Sequence, residues 1–336
     1  MLKPRIRAEG TQEGLLERVL GRLASEHPYE IGEDLVPMRV VEALERRDRH
    51  ETHHLCNARR RSRVRLVCVK VGVVGHVEWL EFVRVEAVPA AGEIVQAVES
   101  WEEPGGGGAV AVVELGRLAG SSTLFTVLGD DAYGRRGRDE LASLGVRVAC
   151  AFRRERQRRG FVYVDADGER TITLIGEKLR PRRDERLPWA ELATFDAIYF
   201  TAGDPAALRA ARAARVLVAT ARELPTLVAA GVQLDALVAS KRDPSERYTG
   251  ELDPPPRLVL RTAGSAGGTY DPGGRNWNAA SLPGPRADAY GAGDSFAAAL
   301  TFALAEGRGA EDAVTFAAAR GARALTRRGA HGGGVE

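Results

Sequence analysis

From residue 66 onward the chain alternates short apolar runs with stretches whose apolar residues recur every three or four positions. The runs are rich in β-branched residues and bounded by glycine or proline, which predicts strands; the recurrences predict amphipathic or buried helices. "RLVCVKVGVVG" predicts a strand ending at Gly75, and "STLFTVLG", "FDAIYFTAG", "RVLVAT", "LDALVAS" and "PRLVLRT" predict five more. Among them lie "AVAVVELGRLAG", "RRGRDELASLG", "DPAALRAARAAR" and "ELPTLVAAG", read as helices, the second stopped by Gly145 in a C′ position. Two alanine-rich helices, 294–306 and 311–325, close the chain. The alternation fails in two places. "FVRVEAVPAAGEIVQAVESWEEPGGGG" predicts further strands with a Pro/Gly turn, and "GFVYVDADGERTITLIG" predicts a hairpin about "DADGE".

Strands alternating with helices imply a mostly parallel sheet covered on both faces. The strand pairs outside that alternation predict a small β lid, from about 76–103 and 160–175. Ligands of open α/β sheets bind beyond the C-terminal ends of the strands. The glycine clusters at 105–108, 264–268 and 291–293 follow predicted strands, so they are expected to converge there.

Residues 1–65 differ in composition. They are rich in arginine and histidine and end in "HETHHLCNARRRSRVR". "GLLERVLGRLASEH" and "VPMRVVEALERRD" have helical spacing, so this segment reads as an Arg-rich extension, partly helical or disordered. His50, His53 and His54 lack the carboxylate or cysteine framework of a metal site and read as a solvated polar run. The α/β domain is expected over 66–331, with a tail at 332–336. Of 336 residues, 44% are hydrophobic, enough for a large core, and the net charge of +2 gives no reason to expect a nucleic-acid partner. No apolar run reaches the ~20 residues of a membrane helix, and the N-terminus lacks the apolar core of a secretory signal. Three cysteines without paired spacing suit a reducing cytoplasm.

The sharpest chemical signal is "ADAYGAGDSFAAAL", residues 287–300, where glycines and an aspartate open an apolar helix. The first N–H groups of a helix have no internal partner and, with the helix dipole, make an anion site. Small residues at Gly291, Ala292 and Gly293 let a phosphate approach the backbone. Asp294 in the first turn is expected to stay ionised beside those donors and to accept a proton from an attacking hydroxyl, as phosphoryl transfer requires. A glycine turn with an aspartate cap would look the same in isolation.

The stretch resembles the DTxGAGD signature of the PfkB (ribokinase-like) family of carbohydrate and nucleoside kinases, as Asp288-Ala289-Tyr290-Gly291-Ala292-Gly293-Asp294. Other segments resemble family motifs in the same order: "PAAGE" (89–93), "PGGGGAVAVVELGRLAG" (104–120), "LGDDAYGRRGRDELASLGV" (128–146), "TAGSAGG" (262–268) and "TRRGA" (326–330). The resemblance implies a ribokinase-like three-layer α/β/α sandwich with a mostly parallel central sheet and a small β-sheet lid. It implies transfer of the γ-phosphoryl of ATP to a hydroxyl of a sugar or sugar-like substrate, with Mg²⁺ and, in some members, a monovalent cation. By motif match, Asp294 is the general base and the 291–293 amides form the anion hole. Thr262, Gly264 and Gly267 border the ATP, Asp288 matches a position linked to the monovalent-cation loop, and Gly105 and Gly106 match the sugar-side turn. A homodimer through an exposed lid edge is a further expectation.

Departures from the family pattern gather on the acceptor side. Where members read GxxNxD, this chain reads "GHVEWLEF", with Glu78 at the asparagine position and Leu80 at the aspartate position. Val110 replaces a second asparagine, Ala318 one near the adenine, and Ala289 the usual threonine. Leucine and valine accept no hydrogen bonds from hydroxyls; Glu78 is the candidate to compensate. Trp79 is read as lid packing or as a stacking surface. The NxxE motif that helps organise Mg²⁺ reads Lys241-Arg242-Asp243-Pro244, which leaves Asp243 and Glu246 as candidate metal ligands or Lys241 as a direct phosphate contact. A nucleoside kinase, hinted at by the apolar Trp79, Leu80 and Val110, and a catalytically weak binding protein of the same fold stand as alternatives to a sugar kinase.

Overall fold

The structure is a computed structural model and describes residues 69–332; the predicted extension at 1–65 and most of the C-terminal tail lie outside the described residues. Among the described residues, nine strands form one sheet and four form a second. The elements are β1 Val71–Val74, β2 Glu78–Arg84, β3 Glu99–Gly105, α1 Gly106–Ala119, β4 Ser122–Gly129, α2 Ala132–Ser143, β5 Val146–Arg153, β6 Arg159–Val164 and β7 Arg170–Ile175. There follow β8 Ala197–Phe200, α3 Pro205–Ala211, β9 Val216–Thr220, α4 Leu224–Ala230, β10 Ala236–Ser240, β11 Val259–Thr262, β12 Gly268–Asp271, β13 Arg275–Trp277, α5 Ala292–Ala305 and α6 Ala310–Ala324.

The large sheet has the order β13-β12-β11-β10-β9-β8-β1-β4-β5. It is parallel from β11 to β5, with β12 and β13 added antiparallel at one edge. Its central strands read as unbroken apolar runs because both faces are covered. One face packs Val71, Val73, Leu124 and Val218 against α1, α5 and α6; the other packs Phe125, Ile198, Leu217 and Leu237 with α3 and α4. Leu115, Leu124, Leu141 and Leu217 are fully buried, each contributing about 1.5–3 kcal/mol over exposure. The three-layer sandwich expected from the alternation is the fold observed.

The smaller sheet has the order β3-β2-β6-β7, with β2 antiparallel to β3 and parallel to β6, and β6 antiparallel to β7. Period-two alternation puts Leu80 and Phe82 of β2 and Val162 and Val164 of β6 on one face, where they pack with Val110, Tyr290 and Ala330. Leu80, at the family's aspartate position, is therefore lid core: its methyl groups occupy the space over Gly105 and Gly160, where a Cβ would stand 2.3 and 2.5 Å away. Trp79 points to the opposite face and is buried against Tyr133 of α2, with the Arg136 guanidinium 4.2 Å from its ring. It serves lid packing.

Candidate active site

The C-terminal ends of β1, β8, β9 and β10 release Gly75, Thr201, Ala221 and Lys241 along one edge of the sheet. The N-terminal turns of α1 and α5 close on that edge. Gly291, the N-cap of α5, has φ 73°, so the chain can turn into the helix there only in the left-handed region. A Cβ on Gly291 would lie 2.9 Å from Val110 of α1, and one on Gly107 would lie 2.9 Å from Asp294 Oδ1. The Asp294 carboxylate thus rests over the bare Cα of Gly107, in the half-buried mouth between the two helices. The amides of Gly291, Ala292 and Gly293 have no protein acceptor among the described residues, and the space beside Gly293 is open.

Burial pushes the Asp294 carboxyl above its ordinary value; Arg222, Arg170 and Lys178 pull it back, and Glu78 adds to the rise. The helix N-terminus by itself favours the charged form. Desolvation is the larger influence in the folded chain.

Asp288 braces the loop. It is fully buried, Oδ1 accepts the Tyr290 N–H at 2.8 Å and Oδ2 the Gly329 N–H at 3.0 Å. Burial raises its pKa against those two bonds. From the lid, Arg170 donates to the Ala289 carbonyl at 2.8 Å and Arg84 to that of Ala287 at 3.3 Å. The Tyr290 hydroxyl accepts the Gly106 N–H at 2.8 Å, tying the 288–294 loop to the glycine turn before α1.

On the other side of the loop, Thr262 ends β11 and its hydroxyl donates to the Ala239 carbonyl at 3.3 Å. Gly264 and Gly267 take positive φ in the turn to β12, closed by Ala263 N–H to the Gly267 carbonyl at 2.7 Å. A Cβ on Gly267 would strike the Trp277 carbonyl at 2.0 Å. Beside Trp277 runs a cleft of about 710 Å³ between β13 and α6, lined by Asn276, Asn278, Thr315 and Ala318 among others.

Glu78, Gly105 and Gly106 meet at the opposite end. Gly106 has φ 83°, and a Cβ there would lie 3.1 Å from His76 and 3.2 Å from Glu78. Glu78 is 6% exposed, with Oε1 3.4 Å from Arg158 and 3.6 Å from His76 Nε2. Burial raises Glu78 above its ordinary value, opposed by Arg158, Lys178 and Arg222. Burial also holds His76 well below its ordinary value, reinforced by Lys178, Arg158, Arg180 and Arg222, so its imidazole is neutral at pH 7. Among the described residues His76 Nδ1 and the buried Thr201 hydroxyl have no hydrogen-bond partner, and Thr201 stands beside Gly75 and Gly107, next to Asp294.

Asp243 and Glu246 come together as the sequence suggested, and a guanidinium lies between them. Arg222 donates to Asp243 Oδ2 at 2.8 Å and bonds Glu246. Asp243 also caps its own turn by accepting from Ser245 N–H and hydroxyl at 2.9 and 2.7 Å. Those bonds, the Ser245 hydroxyl first, lower its pKa, whereas burial raises Glu246. Among the described residues no group of three or more His, Cys, Asp or Glu could hold a metal ion. Both carboxylates are engaged within the protein, each by Arg222 and Asp243 also by Ser245. Arg222 and Arg158 carry no local signal because their partners lie far away along the chain, Arg222 being 21 residues from Asp243 and Arg158 pairing with Glu78 of β2; His76 and Thr201 stand singly at strand ends, with no motif around them.

Residues 70–224 and 206–333 match the family described as pfkB family carbohydrate kinase. Solved structures share the fold. A microbiome-derived acarbose kinase superposes with TM-score 0.66 at 23% identity, covering 78% of this chain and 94% of that one. The ribokinase of Arabidopsis thaliana, complexed with ribose and ATP, gives 0.59 at 21%, covering 78% and 94%. Phosphofructokinase-2 of Escherichia coli, in complex with potassium, gives 0.62 at 19%, covering 78% and 94%.

Proposed function

The chain belongs to the pfkB family of carbohydrate kinases, and from that premise we propose that it transfers the γ-phosphoryl group of ATP to a hydroxyl of a sugar or sugar-like molecule. The observation that carries this reading is the pairing at α5: a carboxylate over Gly107, beside amides that no protein oxygen occupies. In the proposed reaction Asp294 takes the proton of the acceptor hydroxyl as its oxygen bonds to the γ-phosphorus. The bond from phosphorus to the bridging oxygen breaks, and ADP leaves with that oxygen. The amides of Gly291, Ala292 and Gly293 receive the charge on the transferring group, as preorganised donors do at little reorganisation cost. Thr262, Gly264 and Gly267 border the nucleotide, whose base takes the cleft beside Trp277. Lid closure excludes water from the phosphoryl group.

Glu78, Gly105 and Gly106 face the acceptor, with His76 and Thr201 supplying further polar atoms. Leu80, Val110 and Trp79 sit in packed clusters, which withdraws the argument for a base-bearing acceptor that rested on them. The acceptor is read as a sugar held by side chains of this chain's own choosing. The buried Asp288 carboxylate, raised by burial against two N–H bonds and the charges of Arg84 and Arg170, is read as the charged ligand of a monovalent cation at the loop. A divalent ion that arrives with the nucleotide is read as belonging to the substrate, with Asp243 and Glu246, the candidate metal ligands, holding Arg222 instead. Among the described residues no helix is long and apolar enough to cross a membrane, in keeping with the proposed cytoplasmic location. The strand β7 is exposed along its length, with Ile172, Leu174 and Ile175 at the surface, and is the proposed edge for a lid-to-lid dimer.

Mass-spectrometric screening of phosphorylated products from a sugar and nucleoside mixture with ATP tests the reading. A sugar phosphate formed by the wild-type chain and not by Asp294→Asn is the expected result. Thermal shifts by sugar or nucleotide with no phosphorylated product would favour the binding protein.

A further inference from the structure

Arg222 follows the C-terminal end of β9 in a short turn, Ala221–Glu223, where its own N–H donates to the Thr220 hydroxyl at 3.3 Å. Its side chain is held on three sides: Asp243 Oδ2 at 2.8 Å, Ser245 Oγ at 3.2 Å, and Glu246. A guanidinium has five N–H donors in a rigid plane. Two on Nη2 and one on Nη1 are taken, which leaves one on Nη1 and the one on Nε. The next residue, Glu223, is buried and bonded to Lys178 at 3.1 Å and Arg180 at 3.2 Å, so the backbone under Arg222 is anchored as well. The helix α5 packs on β8 and β9. Arg222 at the end of β9 and Asp294 in the first turn of α5 therefore share one edge of the sheet. In a family whose fold leads one to expect a metal-organising pair, two acids are here spent on fixing a cation of the chain itself.

We propose that Arg222 is a phosphate-binding residue: clamped by Asp243, Ser245 and Glu246, it presents its two free N–H donors to the terminal phosphates of the nucleotide beside Asp294. The acidic pair holds that guanidinium, and not a divalent ion. The proposal rests on the kinase reading and deepens it. Its physical basis is that charge-assisted hydrogen bonds from a guanidinium to phosphate oxygens are strong, that the free Nε and Nη1 donors diverge and so reach oxygens of different phosphates, and that a side chain already immobilised loses little entropy on binding. It follows that the protein meets triphosphate with a resident cation even when no divalent ion accompanies the nucleotide.

Titration calorimetry on the full chain, with ATP, ADP and AMP in the presence of a chelator, tests this. The wild type is expected to bind metal-free ATP. Arg222→Ala is expected to weaken ATP by about tenfold to a hundredfold, the loss of charge-assisted hydrogen bonds, and AMP by less than about twofold. Arg222→Lys is expected to fall between, and it carries the test if the alanine variant does not fold. Manganese added to the nucleotide-free wild type is expected to keep its full free-ion resonance signal. Equal losses for ATP and AMP, or no loss of ATP, would overturn the proposal and leave the kinase reading standing. So would manganese bound by the nucleotide-free wild type and released by Asp243→Asn. A wild type that binds no nucleotide under any condition would overturn both.

Discussion

At the entrance of α5 the chemistry is made by backbone. Gly291 turns at φ 73°, three amides are left without protein acceptors among the described residues, and one carboxylate follows within the same turn. At the floor of the lid it is made by side chains: Glu78 from β2, Arg158 from before β6, His76 from after β1 and Thr201 from after β8, gathered across a span of more than a hundred residues. The first arrangement can hold any phosphoryl group and tolerates little change, because glycines leave no other way to bring a backbone close. The second can be rebuilt residue by residue, since each partner's charge and reach can be exchanged for another's. On the proposed reading, reaction type is lodged in the backbone-built end and acceptor choice in the side-chain-built end, and this division can be broken by experiment.

The largest effect is expected from Asp294→Asn, which should lower kcat by about 10²–10⁴ through loss of the positioned base, measured on the acceptor found by product screening. The same variant should not lose stability. A carboxyl whose folded pKa is raised by burial costs the fold free energy above that pKa, so the amide should raise Tm at pH 7. A variant that is inactive and also less stable would point to a structural role for Asp294.

Next comes Gly107→Ala. Its methyl group would stand 2.9 Å from Asp294 Oδ1, and the carboxylate must move. Misplacing a reacting group by a fraction of an ångström to one ångström costs up to about a hundredfold, so kcat should drop by about that factor. Gly293→Ala is the matched control for the backbone: the space there is open, so Tm should hold while nucleotide affinity falls, because the methyl enters the phosphate's approach. If Gly107→Ala kept full kcat, the carboxylate would not be where the chemistry is.

The acceptor end should answer differently. Glu78→Gln is expected to raise KM for the acceptor by about tenfold, the cost of one charged hydrogen bond, with a smaller change in kcat. Leu80→Asp, which restores the family's residue, is expected to destabilise the lid by at least about 3 kcal/mol, since it buries an unpaired charge among Phe82, Val162 and Tyr290. Denaturant unfolding measures it. A Leu80→Asp protein that stayed stable and bound sugar more tightly would show that the lid core is not the reason for the leucine.

This contrast also explains what could be read from the sequence. The central strands were legible because both faces are covered and the runs are continuous. The loop at 288–294 was legible because glycine spacing codes a local backbone shape. The strand β5, "VRVACAFR", went unread because its half-buried edge position mixes arginine into the alternation, and β12 and β13 are four and three residues long. The fate of Leu80 was visible only as a departure; that Gly105 and Gly160 make room for it takes coordinates. Arg222 was invisible for a different reason. Nothing within its own segment says that Asp243 and Glu246 will close on it.

The smallest effect is the one that ties the two ends together. Asp294 works as a base only when ionised, so kcat/KM should rise with pH through its pKa and then level. Burial and the nearby Glu78 push that pKa up, while Arg222, Arg170 and Lys178 hold it down. The acid limb should therefore lie above that of an ordinary aspartate, and each neighbour should move it in its own direction. Removing the Glu78 charge with Glu78→Gln should shift the limb toward lower pH, and removing the Arg222 charge with Arg222→Ala should shift it toward higher pH. Stability should carry the opposite trace of the same proton. With a folded pKa above the unfolded one, the contribution of Asp294 to stability is fully present below the unfolded pKa and is lost as pH rises through the folded one. Asp294→Asn should remove that slope and leave the other titrations in place. Limbs that stayed fixed in both neighbour variants would mean that the acceptor floor and the phosphate loop do not share a field, and the division between them would be complete.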